Sequence, residues 1–173
     1  VVSVGVLYYA AIVPCVLSAI VGLWVAKAFG VPVTAFVLEG VPNLTPLTLA
    51  QVIGVGILFA LVSILFCRVM HAAPKLYDRY LPNPFLRAAV GGALVIGLTF
   101  LVWIWNPGTY DYNGAGTAVI QSAIGGTARP EAFLLKMLFT AVTLGAGFKG
   151  GEIVPVFFTG ATFGCTVAPL LGL

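Results

Sequence analysis

Apolar residues run along this chain in long blocks, interrupted at a few points by glycine, proline and charge. Val1–Ala26 carries no charge, and at about 1.5 Å per residue it is long enough to cross a hydrocarbon core of about 30 Å. Pro14 predicts a kink within it, and Lys27 marks its end. Gly30–Pro46 holds three prolines, Glu39, Asn43 and two threonines, and reads as an aqueous loop that ends on a helix-starting proline. Leu47–Val69 is a second span. Its Gly54 and Gly56 either admit a neighbouring helix or reflect the ordinary frequency of glycine in membrane helices. Ala88–Trp105 is a third span, opening on Gly91-Gly92 and closing on Trp103 and Trp105, aromatics that suit a membrane–water boundary.

Between the second and third spans, Arg68–Arg87 holds Arg68, Lys75, Arg79 and Arg87 against Asp78. Half of the chain's eight basic residues lie there, so the excess of positive charge places this loop in the cytoplasm. One crossing later, Asn106–Asn113 falls on the outer side. The next apolar segment, Gly114–Ile124, is too short to span and reads as re-entrant. Gly125–Arg129 is a turn, and Pro130-Glu131 suits the start of a helix. Lys136 falls about a turn and a half into that helix, where it is expected to snorkel to the interface, the alternative being a polar cavity. Long and short apolar segments with glycine and proline at their joins predict an all-α, polytopic membrane protein with broken and re-entrant helices.

Composition agrees. Of 173 residues, 61% are hydrophobic and 8% charged, with a mean hydropathy of +1.12; a soluble domain carries about 25% charged residues. The net charge of +3 comes from few, unclustered basic residues and gives no nucleic-acid footprint. Cys15, Cys67 and Cys165 lie in apolar runs without CxxC spacing, and His71 has no companion ligand, so neither a metal site nor a cofactor is expected. An intramembrane enzyme would need a nucleophile–base pair or a metal cluster, and a single histidine without paired acids argues against one. The chain starts without methionine in apolar sequence, shows no signal-peptide pattern and stops after another apolar run. It is expected to be a piece of a longer membrane protein.

The stretch around which the rest is organised is Gly145–Pro155, between apolar Ala132–Leu144 and Ile153–Leu171. Four glycines, Lys149 and Glu152 interrupt sequence that is otherwise membrane-like. Irregular backbone at membrane depth persists only where it is buried in protein or lines a cavity, and a charge there marks a candidate functional site. Pro155 suits the first turn of a new helix, and a helix start presents free N–H groups and a positive dipole end that attract anions. Gly145–Gly150 also fits G-x-G-x-x-G, but no strand precedes it and no acid follows Glu152, so the nucleotide-binding reading fails on context. A plain loop with Lys149 and Glu152 in the headgroups is the simpler alternative.

Leu144–Gly164, with Gly-Gly-Glu-Ile-Val-Pro followed by Phe157-Phe158-Thr-Gly-Ala-Thr, resembles the segment of CLC-type anion channels and proton antiporters that carries their G-x-F-x-P anion-binding motif. Leu86–Gly92 resembles the start of the family's second inverted repeat, Tyr112–Ile124 the short glycine-led helix after it, and Tyr8–Gly30 with Leu47–Val69 the last helices of the first repeat. The resemblance covers essentially the whole chain but only the middle of the family's membrane domain. It implies an inverted-repeat CLC-like architecture, with residues 1–85 ending one repeat and residues 86–173 beginning the next.

The resemblance also implies a multi-pass protein of the cell membrane, a homodimer in the lipid bilayer, moving chloride or fluoride with protons. A passive chloride channel, or a structural membrane subunit, is the alternative. The anion site would be formed by Gly151, Glu152, Ile153, Val154 and Pro155, with the backbone amides of Glu152 and Ile153 as ligands. The motif's aromatic position is here Ile153, and a glutamate precedes it. Gly-Phe-Lys-Gly-Gly-Glu is more like the bacterial, fluoride-exporting branch, in which a protonated Glu152 would carry a proton or donate to the anion. The competing roles for Glu152 are a cap on the helix dipole or a pair with Lys149. The family's first-repeat serine motif, gating glutamate, internal proton glutamate and late tyrosine would lie outside this chain.

Overall fold

A computed structural model describes residues 2–3, 6–7, 9–31, 43 and 45–172. The sequence divides into two compact units, Val1–Phe36 and Val37–Leu173. Glu39 and most of the Gly30–Pro46 loop lie outside the described residues.

In the first unit, Val2–Ser3 pairs antiparallel with Val6–Leu7. A single 3-10 turn, Tyr9–Ala11, leads into α1, Ile12–Ala28. The helix thus starts well after Val1. Pro14 stands in its first turn rather than at a kink, where its missing N–H has no carbonyl to serve in any case.

Among its described residues the second unit holds five α-helices: α2 (Pro46–Tyr80), α3 (Pro84–Trp105), α4 (Thr117–Ile124), α5 (Ala132–Gly145) and α6 (Ile153–Val167). Four helices among the described residues are long and apolar enough to cross a membrane; they include α1, α2 and α3, and the fourth is α6 with the turn that follows it. The short α4 is far below spanning length, as its eleven-residue apolar segment predicts.

The clearest departure from the sequence reading is α2. Its 35 residues reach about 52 Å at the usual rise, so the basic stretch expected to be a loop is helix as far as Tyr80. The reason lies on one face. Phe66, Met70 and Tyr77 are buried and Ala73 is packed beside them, a stripe at helical spacing that keeps the chain wound against α5. The connection that remains is Leu81–Asn83. Asn83 ends it by accepting the Phe85 amide on its side chain at 3.0 Å, with Pro84 in the first turn of α3. Thr45 starts α2 in the same way, accepting from the Thr48 amide at 3.1 Å.

The centre of the unit is α5. It packs against α2, α3 and α6, and half of its residues are buried, among them Met137, Phe139 and Ala141. Its Phe139 joins Tyr112, Ile120, Val102 and the fully buried Phe158 in one cluster, and its Met137 and Ala141 join Phe66 and Met70 in another. Gly91 of α3 permits the closest approach: a Cβ there would stand 2.1 Å from the Ala146 Cβ. Gly54 and Gly56 have nothing within 4 Å among the described residues, so no helix of this unit uses them. The faces of α2 and α3 turned away from α5 are apolar and exposed, with Ile57, Leu61, Phe100 and Trp105 among them. Such surface suits lipid or further membrane protein, not water.

Candidate functional site

The glycine break lies between the end of α5 and the start of α6. Its shape follows from its residues. Gly147 has φ +95°, a conformation in which a side chain would be strained. Arg87, from the first turn of α3, holds the other end: its Nε and Nη2 donate to the Gly145 carbonyl at 2.9 and 2.6 Å, and its Nη1 pairs with Asp78 of α2. A cation at this point satisfies a carbonyl that the helix leaves orphaned and opposes the negative end of the α5 dipole.

Beyond the break, α6 begins with unmatched donors. The Val156 amide reaches the Glu152 carbonyl at 3.0 Å, and Pro155 has no N–H. Among the described residues, no acceptor takes the amides of Glu152, Ile153 or Val154. A helix start with its donors open is an anion-attracting arrangement.

A cavity of about 360 Å³ lies beside this start, and Gly150, Gly151 and Pro155 form part of its wall. A Cβ at Gly151 would meet nothing within 4 Å, so the backbone there faces open space. The opposite wall comes from α5, through Lys136, Thr140 and Thr143. Lys136 contradicts the snorkelling expectation. It is 2% exposed, and its ammonium donates to the carbonyls of Tyr112 and Gly114 at 3.1 and 2.5 Å and lies 5.1 Å from the centroid of the Phe158 ring. Both carbonyls belong to the irregular segment before α4, whose left-handed Gly114 and Gly116 turn the chain toward it.

Of the five residues predicted for the site, Gly151 and Pro155 line the cavity; Glu152, Ile153 and Val154 do not, and all three are exposed in this chain. Glu152 makes no side-chain cap on α6 and no ion pair with Lys149, so neither of its two structural roles is present among the described residues. No group of three or more His, Cys, Asp or Glu residues that could hold a metal occurs among them either.

Two residues of the site escape a reading of sequence by segments. Arg87 looks like one more member of a topology-setting basic cluster. Lys136 looks like a lysine near a helix end. A signal for Lys136 does exist, because Lys136, Thr140 and Thr143 are spaced i, i+4, i+7 and form a polar stripe on one face of an otherwise apolar helix. The threonines turn their own hydroxyls back onto the carbonyls of Lys136 and Phe139, at 2.8 and 2.7 Å.

The chain has clear relatives. The family model described as "Voltage gated chloride channel" matches residues 2–173. A protein of Pseudomonas syringae pv. tomato (strain ATCC BAA-871 / DC3000), described as a chloride/fluoride channel protein, is 36% identical over 177 residues, covering 100% of this chain and 38% of that protein. The crystal structure of a CLC-type fluoride/proton antiporter superposes with a TM-score of 0.83 at 26% identity, over 98% of this chain and 42% of that one. The chain thus spans about two fifths of the length of these relatives. Broken helices, an α4 too short to span, the glycine break at the head of α6 and these matches together make the chain part of a multi-pass membrane protein of the voltage gated chloride channel (CLC) family.

Proposed function

We propose that the protein to which this chain belongs carries a halide, fluoride or chloride, across the cell membrane in exchange for protons. It is a transporter and not an enzyme, and the break before α6 supplies part of its anion pathway. The observation that supports this most directly is the set of open amides at Glu152, Ile153 and Val154, next to a cavity walled by Gly151 and Pro155. A halide entering the membrane loses water and needs donors in exchange. Backbone amides at a helix start offer them with a partial charge of about half a unit, enough to replace hydration and not enough to trap the ion.

In this reading the amides of Glu152 and Ile153 bind the anion, within a site bounded by Gly151 and Pro155, and the Glu152 side chain carries the proton. Protonated, it donates a hydrogen bond to the halide; ionised, it repels the halide. Fluoride accepts hydrogen bonds strongly, and the solved relative is a fluoride/proton antiporter. The assembly is a homodimer with one pathway in each subunit. A passive channel is the second reading, because the Pseudomonas syringae relative is described as a channel.

The test is halide efflux from liposomes containing the full-length protein, with proton movement followed in parallel. Fluoride or chloride release coupled to proton uptake supports exchange. Halide release without proton movement favours the channel, and no release of either ion overturns the proposal.

A further inference from the structure

The charge balance around Lys136 is incomplete. Its ammonium is 2% exposed and pairs with no carboxylate among the described residues; Glu39 lies outside them. Two of its three N–H groups are taken by the Tyr112 and Gly114 carbonyls. These neutral acceptors and the Phe158 ring orient the cation but do not neutralise it. A buried charge is expensive unless paired, and a bundle that holds one in a fixed position beside open space has room for a counter-ion. The space is the cavity of about 360 Å³, lined by Lys136 together with Gly150 and Gly151 of the break, so the lysine and the glycines that lead into the open amides border one volume.

We propose that Lys136 is a second anion-binding group of this protein, its ammonium holding a halide in the cavity behind the glycine break. The proposal rests on the halide-pathway reading above and adds to it a station held by a full charge. Two features make a buried lysine suited to this role. The Tyr112 and Gly114 carbonyls prevent the ammonium from swinging out to the interface, so it is organised before the ion arrives. The remaining donor makes a charge-assisted hydrogen bond, which is stronger than one from a neutral amide. The ion therefore rests at Lys136 and passes to the weaker amides of Glu152 and Ile153.

The experiment compares the full-length wild type with Lys136→Met, a substitution that keeps much of the volume and removes the charge. The first readout is the melting temperature of the purified protein as gluconate is replaced by chloride or by fluoride. The wild type is expected to gain stability with halide, and Lys136→Met to need about ten times more halide or to show no gain, the effect of losing one charge-assisted contact. Equal halide dependence in the two proteins overturns the inference. The second readout is the half-saturating halide concentration for efflux from liposomes, which should rise in the same proportion.

Should Lys136→Met fail to fold, Lys136→Gln keeps an N–H donor for the Tyr112 and Gly114 carbonyls and removes the charge. It is expected to abolish the halide-dependent gain, and an unchanged gain overturns the inference. The stability readout does not require transport. A wild type that moves no halide yet is stabilised by it through Lys136 separates failure of the pathway reading from failure of this one.

Discussion

Arg87 grips the carbonyl of Gly145 with two nitrogens, at 2.9 and 2.6 Å, across 58 positions of sequence. The contact joins the start of α3 to the last carbonyl of α5, at the point where the chain leaves the helix for the break. Arg87 also reaches Asp78 and lies over the Tyr77 ring at 5.7 Å, so α2, α3 and α5 meet at one guanidinium.

Arg87→Met is therefore expected to destabilise the protein by about 2–3 kcal/mol, the cost of an unsatisfied carbonyl and a lost charged donor. Arg87→Lys should recover only part of this, since an ammonium lacks the fixed fork. Asp78 is 67% exposed, and Asp78→Asn should cost less than about 1 kcal/mol, as exposed ion pairs do. Thermal unfolding of the purified full-length protein checks the order.

Gly91 and Gly97 lie on the same helix and should respond in opposite ways. A Cβ at Gly91 would overlap that of Ala146 at 2.1 Å, while one at Gly97 would meet nothing within 4 Å among the described residues. Gly91→Ala should push α3 off the end of α5 and cost about 1–3 kcal/mol. Gly97→Ala should be neutral or slightly stabilising, by about 0.5–1 kcal/mol, through helix propensity. Paired melting curves test the contrast.

These contacts show how much the sequence discloses. The first three spans, the short α4 and the break before α6 are legible because each leaves a local mark: an apolar block of given length, or glycine and proline at a join. The fourth helix of spanning length, α6 with its following turn, reads in the sequence only as an apolar segment. The extent of α2 is not legible in the same way. Its second half carries the residues of a loop, including Arg68, Lys75 and Pro74, and stays helical because Phe66, Met70 and Tyr77 find α5, a partner about seventy positions away. Pro14 misleads for a related reason, since a proline kinks a helix or begins one according to where the helix starts. Lys136 and Arg87 are the sharpest cases. Both are charges in apolar surroundings, and only the tertiary fold shows that their partners are backbone carbonyls at distant turns.

In the proposed exchange, Glu152 is the residue that carries the proton. It neither caps α6 nor pairs with Lys149 among the described residues, which leaves its carboxyl available. Glu152→Gln retains size and polarity but cannot ionise. In liposomes it is expected to lose proton movement by about a hundredfold or more, the range of a general acid–base group. Unchanged coupled flux in this variant would assign the proton to another residue.

Halide efflux through Gly151→Leu tests the central claim most directly. Gly151 lines the cavity and faces open space, so a leucine there has room to fold into and would intrude on the proposed path. The full-length wild type in liposomes should release fluoride or chloride, and the correctly folded Gly151→Leu protein should release it about tenfold more slowly or not at all, as expected when an apolar side chain crowds the amides that would replace the ion's hydration. Equal efflux from the two proteins would contradict the account and place the anion pathway away from the glycine break.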